Sequence, residues 1–252
     1  KIMIDLELNS TADLKKEGKS FYWASFFLPK TSKKNAGILY SICRYFDNIA
    51  DKNSEDKTAY LKNSINEIRN NQNNKVNLFL QKNKIKNSIL IDLIEGLIFD
   101  QSQIRIQNKE ELIKYSYHVA GTVGLMMSKI IGVKHEKAAR SAIDLGIAMQ
   151  LTNIARDVYE DSKMKRIYIP SIWIPNISLK NLDNFHNISS EKDEKISNAI
   201  HRLINLSDKF YENGFAGLKY IPLSTRLGIY IAANVYRGIG IKIKSNKKKY
   251  LR

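Results

Sequence analysis

Apolar positions recur at helical spacing along most of the chain and rarely alternate strictly with polar ones. Ile89, Leu90, Leu93, Ile94, Leu97 and Ile98 form one such series within residues 86–104. Leu112, Tyr115, Val119, Val123, Met126 and Met127 form another within 109–131. Apolar residues at i, i+3, i+4 and i+7 share one face of a 3.6-residue helix, so both segments are predicted helical. The same pattern predicts helices over about 36–51, 58–70, 136–160, 191 to near Gly214 or Gly217, and 227–243.

The gaps carry turn chemistry. Leu28-Pro29 ends a short aromatic segment, Phe21 to Phe27, for which Ser20 is the expected N-cap. Residues 1–17 are mixed, with a helical turn at 13–17. Lys30 to Asn35 reads as a basic connector, the Asn-rich 70–77 as a flexible loop, and 171–190 as a loop. Gly121 and Gly124 fall inside a helical pattern, where each costs up to about 1 kcal/mol relative to alanine. They are expected to serve close helix contact or a kink, and a kink would open room for a long ligand.

The chain has 252 residues, 43% of them hydrophobic, enough for a single all-α domain over residues 1–252. Four prolines and 12 glycines are too few for a turn-dense β architecture. The one cysteine, Cys43, excludes an intramolecular disulfide and fits a reducing, cytoplasmic compartment. Its place between Ile42 and Arg44 reads as packing. No apolar run approaches the ~20 residues that span a bilayer, and no signal-peptide pattern is seen.

The formal charge of +16 asks for an anionic partner. Nucleic acid is disfavoured, because lysines are scattered among asparagines and no recognition motif is present. A peripheral contact with an anionic inner-membrane face suits the charge, although the closing Lys247, Lys248 and Lys249 read first as a solvated tail. Walker A, Gly-x-Gly-x-x-Gly, Gly-x-Ser-x-Gly and His-Glu-x-x-His patterns are absent. His118, His135, His186 and His201 have no ligand spacing. A monomer or weak dimer is expected.

The chemistry concentrates in two places. Gln150, Asn153, Asp157 and Asp161 form a polar stripe on an otherwise apolar helix, and Asp157 and Asp161 lie about 40° apart around the axis and ~6 Å along it. Asp47 and Asp51 repeat the spacing, with Arg44 one turn earlier. Like charges at i and i+4 repel, so an isolated pair is unfavourable unless water or metal compensates. A doubled pair, flanked by arginine and asparagine, points to facing helices holding Mg²⁺ against a diphosphate, because Mg²⁺ takes carboxylate, water and phosphate oxygens. The dense aromatic segment 21–27 reads as core, with a pocket for carbocations as the functional alternative. Lys163, Lys165 and Arg166 read either as helix C-terminal cations or as a lid that clamps phosphate.

With these residues in view, the sequence resembles the squalene/phytoene synthase family of head-to-head prenyltransferases. The resemblance runs from about Lys19 to Tyr236. It is carried by Ser20-Phe-Tyr-Trp-Ala24 with Leu28-Pro29, by 40–51, by Tyr115-Ser-Tyr-His-Val-Ala-Gly-Thr-Val-Gly124, and by 145–161 with Arg166-Ile-Tyr-Ile-Pro170. It implies an isoprenoid-synthase bundle around a central apolar cavity. By the same likeness, Asp47, Asp51, Asp157 and Asp161, with Asn153 beside them, would hold Mg²⁺, or Mn²⁺ in its place. Arg44 and Lys19 would contact phosphate, with Arg156 a further candidate. Tyr40, Tyr115, Tyr236 and Gln150 would lie near diphosphate or cation, and Phe21, Val119, Ala120 and Gly124 would line the hydrocarbon channel.

Segments 119–127 and 146–156 look most like bacterial phytoene synthases. The reaction so implied joins two geranylgeranyl diphosphates through a cyclopropylmethyl diphosphate, without NADPH, at the first step of carotenoid synthesis. Squalene or dehydrosqualene synthesis from farnesyl diphosphate is the alternative, and a membrane-associated helical assembly subunit is the non-enzymatic one. The chain departs from the pattern at Asn48, where many relatives carry a second Asp, and at Ala155, often bulkier.

Overall fold

The structure is a computed structural model that describes residues 28–51, 56–71, 75–102, 104–183 and 189–245. The predicted elements at 13–17 and 21–27, the candidates Lys19 and Phe21, and the tail at 247–249 lie outside the described residues.

Helix α1, Lys30–Asp51, takes in the stretch expected as a basic connector. Pro29 starts it, its carbonyl accepting from Lys33 N at 2.8 Å. A lysine-rich turn is a good helix former without an apolar face, so apolar periodicity does not report it. Helices α2, Lys57–Arg69, and α3, Lys75–Lys82, follow. The last residues of the predicted Asn-rich loop belong to α3, which buries Val76, Phe79 and Leu80. Helix α4 spans Asn87–Phe99. A two-residue strand β1, Ile104–Arg105, then pairs in parallel with β2, Arg166–Ile167. Nothing in the pattern announces this pair, since two residues have no periodicity.

The predicted 109–131 helix is three pieces: α5, Lys109–Ser116; a π-helical turn, Tyr117–Gly121; and α6, Thr122–Ile130. The turn is tied to α4 by Tyr117 OH donating to Asp92 Oδ2 at 3.1 Å and by a 2.9 Å contact between His118 Nδ1 and the Asp92 carbonyl. The irregularity begins ahead of both glycines. Gly124 serves close contact instead: a Cβ there would lie 2.1 Å from the Ala142 carbonyl oxygen. Gly146, on the facing helix, would meet the Ala120 oxygen at 2.3 Å. Two backbones approach this closely only where side chains are missing.

That facing helix is α7, Glu136–Arg156, which packs against α6, the π turn, α10 (Ser190–Ala216) and α11 (Leu223–Ser245). It was expected to run to Glu160, but Asp157 leaves helical geometry at φ −102°, ψ 18°, and α8, Val158–Lys163, resumes. The bend keeps its hydrogen bonds, Asp157 N to Asn153 O and Asp161 N to Asp157 O, both 2.8 Å. Asp157 and Asp161 therefore stay one turn apart. The predicted loop 171–190 contains α9, Leu179–Asp183, and α11 starts directly after Pro222.

The apolar faces build two large cores. One joins α1 to α4 with Met126 and Ile130 of α6, and the other gathers α5, α7, α10 and Ile243 of α11. Among the described residues, no helix is long and apolar enough to cross a membrane.

Candidate active site

Where the two cores adjoin, a cavity of about 230 Å³ is lined by Arg44, Asp47, Ala50 and Asp51 of α1, Leu97 of α4, Asp100, Tyr115, Val119, Gln150 of α7, and Arg166 of β2. Helical spacing explains the α1 wall: residues 44, 47 and 51 fall on one face, and Phe46 and Ile49 fill the core behind it. The lining is mostly charged or polar, its apolar part being Ala50, Leu97 and Val119. Ligand pockets commonly occupy ~300–1,000 Å³. The cavity is therefore smaller and more polar than the deep apolar hollow expected from the resemblance, and Phe21, expected to line that hollow, lies outside the described residues.

Charge explains how the two acid pairs relate. Burial pushes the Asp47 carboxyl up to about 6, with repulsion from Asp51 and Asp100 adding and Arg44 opposing. Burial likewise pushes Asp161 up to about 7; Asp157, Asp100 and Glu160 add, and Arg166 opposes. Asp100 thus lies within electrostatic reach of Asp47 and Asp51 on α1 and of Asp161 on α8; Asp47 and Asp51 line the cavity, and Asp157 and Asp161 do not.

The other sequence candidates are not all brought together. Arg44, Tyr115, Val119 and Gln150 line the cavity. Asn153, Arg156, Asp157 and Tyr236 gather at the bend: Arg156 Nε and Nη2 donate to the two Asp157 oxygens, each at 2.6 Å. Burial raises the Tyr236 hydroxyl, with Arg156 opposing and Asp157 adding. Tyr40 lies half-buried on α1, one turn before Arg44. Ala120 and Gly124 sit at the close crossing with α7 rather than in the cavity lining. Of the basic run, Arg166 alone lines the cavity; Lys163 stands 4.0 Å over the Tyr159 ring, and Lys165 is exposed with φ +60°. Burial and the nearby Asp47 push the Cys43 thiol up, in keeping with packing rather than nucleophilic chemistry.

Sequence reasoning missed Asp100. It follows the last residue of α4 and has no acid at i+4, so no spacing marks it. In the fold its Oδ2 accepts from Tyr115 OH and its Oδ1 from Tyr168 OH, both at 2.8 Å. The two rings stack with centroids 4.7 Å apart.

The donors suit a hard divalent cation. Asn153 Oδ1 is buried without a hydrogen-bond partner, an oxygen ready to be ligated. The carboxyls of Asp47 and Asp161, raised by burial and by repulsion from neighbouring carboxylates, would be relieved by positive charge. Among the described residues, no three His, Cys, Asp or Glu side chains lie close enough to hold a metal by themselves. Any ion would complete its shell with water and substrate oxygens, which is how Mg²⁺ is commonly held.

The almost wholly helical bundle, with Asp47 and Asp51 lining its polar cavity, has the fold of the isoprenoid synthases. Among solved structures the fold is similar to a dehydrosqualene synthase determined with a ligand (TM-score 0.77, 25% identity, covering 95% of this chain and 88% of that one). It is also similar to squalene synthase HpnC from Alicyclobacillus acidocaldarius (TM-score 0.79, 18% identity, 91% and 89% covered). Residues 14–252 match the squalene/phytoene synthase family. In sequence the chain is 31% identical over 249 residues to 15-cis-phytoene synthase of Enterobacter agglomerans, covering 89% of this chain and 81% of that protein. It is 31% identical over 248 residues to 15-cis-phytoene synthase of Pantoea ananas, covering 90% and 78%. The chain belongs to the squalene/phytoene synthase family, whose members are prenyltransferases that use a divalent metal on diphosphate substrates.

Proposed function

We propose that this chain condenses two molecules of geranylgeranyl diphosphate head to head into phytoene, by way of a cyclopropylmethyl diphosphate, with Mg²⁺ as cofactor. The observation that supports the reading is one cavity lined by Asp47, Asp51, Arg44 and Arg166, with Asp161 beyond the lining but within electrostatic reach of Asp100 and Arg166. The phytoene synthases among its relatives support the choice of product.

In this reading Asp47, Asp51, Asn153, Asp157 and Asp161 would hold Mg²⁺, whose positive charge would offset the negative charge of the diphosphate. Arg44 and Arg166 bind diphosphate oxygens from opposite walls and orient the scissile C1–O bond toward the second substrate. That bond breaks with its electron pair on the diphosphate. The second molecule's double bond then attacks the allylic cation, and proton loss closes the cyclopropane. Loss of the second diphosphate, rearrangement and a further proton loss form the central double bond, so no reductant is consumed. The faces of Tyr115 and Val119 exclude water and favour the cation over its capture.

The test is product analysis after incubation with geranylgeranyl or farnesyl diphosphate, with and without NADPH. A C40 hydrocarbon from geranylgeranyl diphosphate alone supports the reading. A C30 product from farnesyl diphosphate, with none from the longer substrate, replaces it with the second reading, dehydrosqualene or squalene synthesis, which the similarity to a dehydrosqualene synthase favours. The charge of +16 supports an anionic membrane surface as a further partner.

A further inference from the structure

We propose that Asp100 is a positioning residue of this site, fixing Tyr115 and Tyr168 so that the aromatic wall and the Arg166 strand keep one geometry around the reacting head groups. The role rests on the reading of the site as one that ionises prenyl diphosphates.

Three stretches distant in sequence meet at this carboxylate. Asp100 follows α4, Tyr115 belongs to α5, and Tyr168 follows β2. Each oxygen accepts one phenol at 2.8 Å, and the phenol rings stack at 4.7 Å with an 18° interplanar angle. Two charge-assisted bonds plus a ring stack leave both tyrosines little rotational freedom. Tyr115 lines the cavity while its hydroxyl is taken by Asp100. Tyr168 stands two residues after Arg166, which lines the cavity and pairs with Ile104 across the β1–β2 ladder. Holding Tyr168 therefore holds the chain that carries Arg166.

The same geometry separates Asp100 from the cation-binding acids. Both its oxygens already accept a hydroxyl, and it lacks the i, i+4 partner that Asp47 and Asp161 have. A cation face must sit correctly relative to a short-lived carbocation, and displacements near 1 Å cost on the order of 100-fold in rate. Loss of Asp100 should therefore act on turnover rather than on binding of the diphosphate.

The experiment compares wild type, Asp100→Asn, Tyr168→Phe and the variant carrying both changes, with Asp47→Asn as the reference for lost pyrophosphate binding. It measures kcat and KM for geranylgeranyl diphosphate, calorimetric binding of inorganic pyrophosphate with Mg²⁺, and thermal unfolding. Each single variant is expected to lose roughly 10- to 100-fold in kcat, with KM and pyrophosphate affinity within about threefold of wild type, and the double variant to be no slower than the slower single. Tyr168→Phe removes one hydroxyl and carries the test if Asp100→Asn does not fold. Unchanged kcat overturns the proposal, as do multiplied losses in the double variant. Loss of pyrophosphate binding in Asp100→Asn, to the extent seen in Asp47→Asn, would make Asp100 a cation ligand instead. A wild-type chain that condenses no prenyl diphosphate defeats the functional reading, whereas an active wild type with an equally active Asp100→Asn defeats only the role given to Asp100.

Discussion

Arg156 closes a fork on its own neighbour Asp157, with Nε and Nη2 each 2.6 Å from a separate carboxylate oxygen. The side chains are 40% and 32% exposed, so the pair contributes on the order of 1 kcal/mol or less to folding. The Arg156 guanidinium thus answers the Asp157 charge that, in the function proposed, a divalent ion would also answer. Arg156→Gln should unfold within a few degrees of wild type. It should bind Mg²⁺ alone more tightly, and Mg²⁺ with pyrophosphate roughly tenfold more weakly, because a charged donor to phosphate is lost. Calorimetric titration of both ligands checks the opposite signs; a parallel change in the two would contradict them.

The raised carboxyls of Asp47 and Asp161, at about 6 and about 7, give a pH dependence. A folded value above the unfolded one means that stability from these groups is complete below about pH 4 and is lost as pH rises through 6 and 7. Divalent ions bind the ionised form and reverse that loss. Mg²⁺ should therefore raise the melting temperature more at pH 7.5 than at pH 5. The Mg²⁺ concentration giving half-maximal activity should climb as pH falls through 7 and then 6. A Mg²⁺ effect equal at both pH values would count against this account.

Asp161→Asn separates stability from activity. Removing a carboxyl that burial and like charges disfavour should raise the melting temperature of the Mg²⁺-free chain at pH 7.5. The same change should reduce turnover by about 100-fold or more, since electrostatic stabilisation of the leaving group is commonly a large term. A variant less stable than wild type under these conditions would show that the repulsion is weaker than the geometry implies.

The crossing of α6 and α7 offers a test of the scaffold. Gly124→Ala would place a methyl 2.1 Å from the Ala142 carbonyl, forcing the helices apart at a cost of about 1–3 kcal/mol. Gly238→Ala is the control: no atom stands within 4 Å of its Cβ position, and the change should stabilise α11 by roughly 0.5–1 kcal/mol. Urea unfolding of the two variants reads both signs.

Much of this was legible from periodicity. The α4 series and the Asp47/Asp51 spacing each fix a helix face, and the latter face lines the cavity, whereas Asp157 and Asp161 lie outside that lining. What could not be read depends on three dimensions. Asp100 has no local pattern, because its partners Tyr115 and Tyr168 lie 15 and 68 residues away. The π turn at Tyr117–Gly121 keeps helical apolar spacing and so resembles plain helix. Lys30 to Asn35 is helical without an apolar stripe, and the bend at Asp157 shows only as dihedral angles. The roles expected of Tyr115 and Tyr236 come from family likeness, and no spacing argument reaches them.

The central claim is that both acid pairs serve a single site. Calorimetric titration of Mg²⁺ with inorganic pyrophosphate into wild type, Asp47→Asn and Asp161→Asn tests it most directly. Either substitution, on helices far apart in sequence, should weaken the same binding event by at least roughly tenfold. Wild-type affinity in either variant would contradict a shared site.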